Sequence, residues 1–169
     1  MVVCEGKTEE NLWRWLRSLM RHCPIAIHCI KCRGGGDAYS VLEWAAKQYG
    51  KEKKSRDLDH LIVMLDTDRG WDQPDNKQRN ARQFAQKKKM ITILCRPRCE
   101  HFLMGLKKQE HRLRSCLDSQ AEKKCVEQVY GKAPQNIDWE KQGVTLRDIM
   151  SRKEFDVFMA AFPFLWKEL

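Results

Sequence analysis

The chain has 169 residues, of which 42% are hydrophobic and 33% carry a charged side chain. At about 150 residues per domain, this length predicts one domain with room for a small appendage, and the hydrophobic share is sufficient for a buried core. No apolar run approaches the roughly 18 residues of a membrane span, and no basic leader precedes an apolar stretch at the N-terminus. We therefore expect a cytoplasmic protein that is neither membrane-spanning nor secreted.

The charge balance is strongly basic, with 32 Lys and Arg against 23 Asp and Glu and a net charge of +9. A basic surface attracts polyanions by releasing their counterions, so nucleic acid is the first partner to consider. Positive charge also keeps many proteins in solution, and the charge alone leaves both interpretations open.

Apolar runs and stretches of helical spacing alternate along the first 96 residues. Val2 to Cys4 predicts a short buried strand, and the helix after it is predicted to be capped by Thr8 and stopped by Pro24. Ile25 to Cys32 predicts the second strand, and Asp37 is the predicted cap of the next helix.

The same pattern continues to the end of this region. Leu61 to Leu65 is a continuous apolar run, which is typical of a central parallel strand buried on both faces. A third helix is predicted over Asp75 to Lys89, and a fourth strand over Ile91 to Cys95. After Pro97 only helical spacing remains, and Thr145 is the predicted cap of a final helix.

This alternation predicts an α/β fold with a Rossmann-like parallel sheet of about four strands, flanked by helices and joined by right-handed crossovers. We expect an α/β domain over residues 1–106 and a C-terminal helical cap over residues 107–169 that packs on it. The last part of this cap is rich in Phe and Trp, and we expect it to supply the surface of any homodimer.

Eight cysteines raise the question of disulfides or of zinc. A chain without an export signal, and large enough to fold on its core alone, favours reduced thiols. The spacings Cys29-x-x-Cys32 and Cys95-x-x-x-Cys99 suit zinc, yet along a strand Cys29 and Cys32 point to opposite faces. Buried cysteine acting as a small hydrophobic residue is the preferred interpretation, and a zinc-stabilised binding module is the alternative.

Acidic side chains directly follow two of the predicted strands. Glu5 comes after the first strand, and Asp66 and Asp68 come after the third. Functional groups of a parallel sheet gather at the carboxyl ends of its strands, and neighbouring carboxylates repel each other unless a cation lies between them. Oxygen ligands without adjacent His or Cys favour Mg²⁺ or Mn²⁺. The alternative is that Asp66 and Asp68 only begin a turn.

These motifs, in this order and at the strand ends, resemble the Toprim domain, the metal-dependent catalytic module of topoisomerases, primases and several nucleases. The segments that carry this resemblance are Val3-Cys4-Glu5-Gly6-Lys7-Thr8-Glu9-Glu10 and Leu65-Asp66-Thr67-Asp68. Two further segments are similar to the RloB-like, defence-associated branch: Gly35-Gly36-Asp37-Ala38 and Arg96-Pro97-Arg98-Cys99-Glu100-His101-Phe102-Leu103. The resemblance covers residues 2–106, and Arg96, Cys99 and Phe102 stand where that branch has Asn, Phe and Trp.

The resemblance implies a role for each acid. Asp66 and Asp68 would bind Mg²⁺ or Mn²⁺, and Glu5 would act as general acid/base or as a further metal ligand. Glu100 is a further catalytic candidate, or it only complements the dipole of the helix it begins. The cations beside these acids in the sequence are candidate phosphate contacts: Lys7, Arg69, Arg96 and Arg98.

The function implied is metal-dependent phosphodiester hydrolysis of DNA or RNA in prokaryotic anti-phage defence. Nucleic acid is then the substrate, and a regulatory protein of the defence system is a further expected partner. The alternative is a catalytically inactive Toprim-like scaffold that binds nucleic acid or a partner protein. A divalent ion among Glu5, Asp66 and Asp68 distinguishes the first function from the second.

Overall fold

The computed structural model describes residues 1–67, 70–72, 80–116 and 118–167. Its sheet has four strands: β1 (Val2–Cys4), β2 (Ile30–Cys32), β3 (Ile62–Asp66) and β4 (Ile91–Cys95). All pairings are parallel, and the strand order is β2-β1-β3-β4. The predicted α/β class and its four-stranded parallel sheet are thereby confirmed.

Seven α-helices occur in the described ranges: α1 (Lys7–Leu19), α2 (Ala38–Glu52), α3 (Ala81–Lys87), α4 (Cys99–Leu106), α5 (Ser119–Tyr130), α6 (Leu146–Met150) and α7 (Asp156–Ala161). Short 3₁₀ turns connect several of them, and those over 134–136 and 153–155 matter below. Within the same ranges, no helix combines the length and apolar character that a bilayer crossing requires.

The second strand is shorter than predicted. It begins at Ile30 rather than Ile25, because β2 is an edge strand and its neighbour β1 begins at Val2, the residue paired with Ile30. The third helix is shorter than the predicted Asp75 to Lys89. It begins at Ala81, because Asn80 is extended and its side chain caps the helix by accepting a hydrogen bond from the Gln83 amide, and it ends at Lys87. Residues 75–79 of the prediction lie outside the described residues.

Two of the three predicted helix caps are confirmed. The Asp37 carboxylate accepts a hydrogen bond from the Ser40 amide at 3.0 Å, and the Thr145 hydroxyl accepts one from the Asp148 amide at 3.2 Å. The prediction for Thr8 was wrong, because α1 already begins at Lys7 and its N-cap is Gly6 in an extended conformation.

Alternate residues of β1 contact two different apolar cores. Val2 and Cys4 belong to the larger core, which also contains α1, α4 and the C-terminal helices. Val3 belongs to the second core, which contains residues of α2 and α3. Side chains of a strand alternate between its two faces, so a strand covered on both faces must be apolar throughout. This explains why β1 and most of β3 read as unbroken apolar runs.

The larger core extends into the C-terminal part of the chain. The ring of Trp13 in α1 lies 6.0 Å from that of Phe155 and 5.8 Å from that of Phe158 in α7. This core therefore contains residues from both sides of the predicted boundary at residue 106. The division into 1–106 and 107–169 stays a prediction. Beyond α7, Phe164 and Trp166 are 40% and 51% exposed, and the homodimer also stays a prediction.

Gly105 allows an arginine to pack on α4. A Cβ atom at this position would lie 2.7 Å from Cζ of Arg152 and 2.8 Å from Oε1 of Glu110. The Arg152 side chain lies within 3.6 Å of Glu110 and within 3.5 Å of the buried Glu154 carboxylate. A side chain at position 105 would displace Arg152 and remove the charge that compensates Glu154.

We predict that Gly105→Ala lowers the free energy of unfolding by about 1 kcal/mol, because a buried carboxylate loses its cation. The matched control is Gly50→Ala in α2, where an added Cβ meets no atom within 4 Å. That variant should raise stability by about 0.5–1 kcal/mol, because alanine favours the helix. Urea denaturation of both variants measures the two effects, and equal stabilisation by both substitutions would contradict the packing role of Gly105.

Candidate functional site

A polar cavity of about 590 Å³ opens at the carboxyl ends of β1 and β3. Its walls come from the β1–α1 turn, the glycine loop after β2, the first turns of α4 and α5 and the 134–136 turn. We call this cavity the acid pocket, because four carboxyl side chains of the described residues line it: Glu5, Glu9, Asp66 and Glu100. Its location is the one at which a parallel sheet places its functional groups.

Hydrogen bonds between β1 and β3 bring Glu5 against Asp66. The Glu5 amide donates to the Met64 carbonyl at 3.1 Å, and the Asp66 amide donates to Oε2 of the Glu5 carboxylate at 3.0 Å. The predicted proximity of these two acids, which are 61 residues apart in the chain, is thereby confirmed. Asp68 and Arg69 lie outside the described residues, so their predicted roles stay predictions.

The Asp66 side chain connects β3 to helix α4. Its Oδ1 atom accepts a hydrogen bond of 2.8 Å from the Cys99 amide, one of the free N–H groups at the start of α4. This bond places the first turn of α4 beside the pocket, so that the next residue, Glu100, lines it. The sequence prediction that Glu100 faces the same crevice as Glu5 and Asp66 is confirmed, while its catalytic role stays a prediction.

Glu9 is a fourth acid of the pocket that the sequence reasoning did not identify. Its Oε2 atom accepts a hydrogen bond of 3.1 Å from the Gly6 amide, and the residue is only 3% exposed. The available signal was its position three residues after Gly6, because a glutamate at this position of a helix reaches back to the amide of the N-cap residue.

Burial and mutual repulsion raise the pKa values of these carboxyl groups. Burial raises the pKa of Asp66 to about 9, with further increases from the charges of Glu9, Glu5 and Glu100 and a smaller opposing effect of the Cys99 amide. Burial likewise raises the pKa of Glu9 to about 7. The pKa of Glu100 is also raised, again mainly by burial. The pocket therefore holds protons, or it requires compensating positive charge.

The loop after β2, which contains Gly34 and Gly35, forms part of the wall of the acid pocket next to Glu5. The Glu5 carbonyl accepts hydrogen bonds from the Gly34 and Gly35 amides at 2.9 and 2.8 Å. Both glycines have positive φ values, +84° and +96°, which only glycine adopts without strain. This backbone contact holds the loop against the end of β1.

The donor atoms of the pocket suit a hard divalent cation. Carboxylate oxygens are the preferred protein ligands of Mg²⁺ and Mn²⁺. Among the residues that the structure describes, however, no group of three or more His, Cys, Asp or Glu side chains has an arrangement that could hold a metal ion. Glu5 and Asp66 therefore form an incomplete ligand set, to which Asp68 is the predicted addition.

The two cysteine pairs considered for zinc lie in different parts of the fold. Cys95 and Cys99 are buried in the larger core, whereas Cys29 and Cys32 are half-buried and Cys29 packs against the second core. Among the described residues, no group of three or more potential metal ligands includes any of these four thiols. The burial of Cys95 and Cys99 agrees with their interpretation as small hydrophobic residues, and zinc binding stays an untested alternative.

Two of the predicted phosphate contacts line the acid pocket, and each is paired with a carboxylate. Nζ of Lys7 lies 2.6 Å from Oε2 of Glu10, and the Arg98 guanidinium donates to Oε2 of Glu122. Arg96 lines a different cavity, of about 190 Å³, next to the 153–155 turn. The structure therefore brings Lys7 and Arg98 to the acids and places Arg96 elsewhere.

We predict that Asp66→Asn stabilises the metal-free protein at alkaline pH. The folded state raises the pKa of Asp66 from 3.8 to about 9, so it binds this proton more tightly than the unfolded chain does. Stability is therefore lost as the pH rises from about 4 towards 9, and asparagine, which does not titrate, removes this loss.

Thermal unfolding in EDTA measures the effect. At pH 8 the variant should exceed the parent chain by about 1 kcal/mol or more, and the difference should shrink at pH 5. Asp57→Asn, which removes an exposed carboxylate outside the pocket, is the control and should change little. A difference between Asp66→Asn and the parent chain that does not depend on pH would contradict the burial of this charge.

Comparison with known proteins gives one family. A model of the RloB-like protein family matches residues 1–151. Neither the curated proteins nor the solved structures contain a match to this chain. The family match covers β1 to β4, all the acids of the pocket and most of the C-terminal helices, and this chain belongs to the RloB-like family.

Proposed function

We propose that this protein is a divalent-metal-dependent nuclease that hydrolyses phosphodiester bonds of DNA or RNA in prokaryotic anti-phage defence. The observation that carries the proposal is the hydrogen bond between the Asp66 amide and the Glu5 carboxylate. This bond gathers acids from two strands into one pocket at the carboxyl end of the sheet. The Toprim-like motif order and the RloB-like family match support the same function.

The proposed metal ligands are Asp66, Asp68 and Glu5. When bound, Mg²⁺ or Mn²⁺ would polarise a phosphodiester and stabilise charge on its oxygens, which is worth several kcal/mol. The backbone amides of Asp66 and Cys99 orient the two described carboxylates, because the Asp66 amide donates to an oxygen of Glu5 and the Cys99 amide donates to an oxygen of Asp66. Glu5 and Asp66 therefore supply oriented carboxylate oxygens to the pocket.

Glu9 and Glu100 line the pocket beside the proposed ligands. Among the described residues, neither of them forms an ion pair with a Lys, Arg or His side chain. Their burial, 3% and 4% exposed, keeps water away from one side of the pocket. A carboxyl group with a pKa of about 7, as in Glu9, holds a proton part of the time at neutral pH and so moderates the repulsion in the pocket. Glu5 remains the proposed general acid/base.

The basic character of the chain supports a polyanionic substrate. The net charge is +9 although the pocket is lined by four acids, so the positive charge lies in the rest of the chain. That charge attracts a nucleic acid, and carboxylates meet the substrate at the reacting phosphate. This distribution suits an enzyme in which a cation mediates between the acids and the substrate.

The second candidate is a catalytically inactive scaffold that binds nucleic acid or a partner protein. It is favoured by the incomplete ligand set among the described residues. Binding that persists without metal and after Asp66→Asn, together with no cleavage by the parent chain, would support this scaffold.

We predict that the purified protein cleaves a nucleic acid only with Mg²⁺ or Mn²⁺, and that Glu5→Gln and Asp66→Asn each reduce the rate at least about a hundredfold. The loss is expected because each substitution removes a proposed ligand of the metal ion, whose stabilisation of the transition state is worth several kcal/mol. Gel assays with labelled single-stranded and double-stranded DNA and RNA measure cleavage. EDTA should abolish the activity, and the control Asp57→Asn should retain it.

Full activity of both pocket variants would show that the cleavage arises elsewhere or from a contaminant. Circular dichroism of each variant checks that the fold is retained.

A further inference from the structure

We infer that Lys123, in helix α5, binds a phosphate group of the nucleic acid substrate at the mouth of the acid pocket. The inference rests on the proposed function and adds a substrate contact from the C-terminal part of the chain, beyond the segment that carries the Toprim resemblance. Its basis is the side-chain arrangement at the pocket wall, where Lys123 and Ser119 of α5 face the four acids.

Of the residues that the structure describes, three cations line the acid pocket: Lys7, Arg98 and Lys123. Lys7 is held by Glu10, which is also bound by Arg14 at 2.6 Å. Arg98 is held by Glu122, which is 7% exposed. At either of these two positions an incoming phosphate would share the cation with a carboxylate.

Lys123 differs from both. In the part of the chain that the structure describes, no carboxylate oxygen lies within ion-pair distance of its ammonium group, and its side chain is exposed to solvent. Its charge nevertheless reaches the pocket. Burial raises the pKa of Glu100, and the Lys123 charge acts in the opposite direction on the same carboxyl group. An ammonium group beside the pocket and without a carboxylate partner is suited to bind a phosphate.

The helix that carries Lys123 is held firmly against α4. The Asp118 carboxylate caps α5 by accepting hydrogen bonds of 2.8 Å from the Gln120 and Ala121 amides. The next contact is Glu122, which binds the Arg98 guanidinium and lies 3.2 Å from Nε2 of His101. Glu122 directly precedes Lys123 in the chain, so the backbone of Lys123 is fixed relative to the acids.

Further along α5, the Tyr130 hydroxyl donates to the Leu103 carbonyl of α4 at 2.6 Å. Both ends of α5 are therefore connected to α4, which also carries Glu100 and the amide that holds Asp66. The contacts of α5 with α4 thus fix the backbone position of Lys123 relative to the pocket in the folded chain.

The negative charge of the pocket explains why a lysine at position 123 would aid substrate binding. Among the described residues, four carboxyl groups line the pocket, and the two other cations that line it are paired with carboxylates. A phosphodiester that approaches the acids meets repulsion. The Lys123 cation offsets this repulsion and aligns the phosphate, which strengthens binding of the substrate.

The test compares Lys123→Ala with Lys124→Ala, two charge-removing variants of neighbouring lysines in the same helix. Lys124 is also exposed but does not line the pocket, so it controls for the loss of one positive charge. Both substitutions are made in the parent chain and in the Asp66→Asn background. The second background permits binding of a labelled oligonucleotide to be measured without cleavage, by fluorescence anisotropy at several salt concentrations.

We expect Lys123→Ala to weaken oligonucleotide binding about 3- to 10-fold and to reduce the slope of log K against log salt by about one. In the parent background it should raise KM more than it lowers kcat, and Lys123→Arg should restore most of the affinity. Lys124→Ala should leave the affinity within about twofold.

Equal effects of the two alanine variants, or no effect of Lys123→Ala, would overturn the assignment of Lys123 while cleavage by the parent chain upholds the proposed function. A parent chain that neither binds nor cleaves any of the nucleic acids would overturn both. Thermal unfolding of each variant confirms that the helix remains folded, and Lys123→Arg distinguishes the loss of the charge from a change in packing.

Discussion

Two backbone-to-carboxylate hydrogen bonds hold the acid pocket together, and each connects segments that are distant in the chain. The Asp66 amide donates to Glu5 across 61 residues, and the Cys99 amide donates to Asp66 across 33. These bonds form only when β1, β3 and α4 have their final arrangement. They orient the acids before any ligand arrives, and such preorganisation reduces the entropy lost on binding.

The clustering of acids destabilises the folded protein when no cation is bound. The four described carboxyl groups share a partly buried pocket, and the pKa values of Asp66 and Glu9 rise to about 9 and 7. Apolar cores on both faces of the sheet stabilise the fold against this repulsion. Functional sites commonly keep such destabilising groups because activity requires them. A divalent cation would remove the repulsion, and this explains why a metal role fits the pocket better than a purely structural one.

Local sequence patterns, namely apolar runs and helix-capping residues, predicted much of the fold. The apolar runs of β1, β3 and β4 and the caps at Asp37 and Thr145 follow from residue types within a few positions of each other. The proximity of Glu5 to Asp66 also followed, because parallel strands place their carboxyl ends at one edge. The length of β2 did not, since it depends on the three-residue pairing with β1. Glu9 was not identified because the helix cap was predicted at Thr8 and not at Gly6, and the position of Lys123 at the pocket required the folded chain because this residue lies on a distant helix.

The central claim is that Glu5 and Asp66 hold a divalent cation together, and direct binding of Mn²⁺ tests it without any substrate. Electron paramagnetic resonance of free Mn²⁺, titrated with the full chain, measures the bound fraction. The account predicts saturable binding by the parent chain and at least about tenfold weaker binding by both Glu5→Gln and Asp66→Asn. Binding that is absent in the parent chain, or unchanged in both variants, would contradict it.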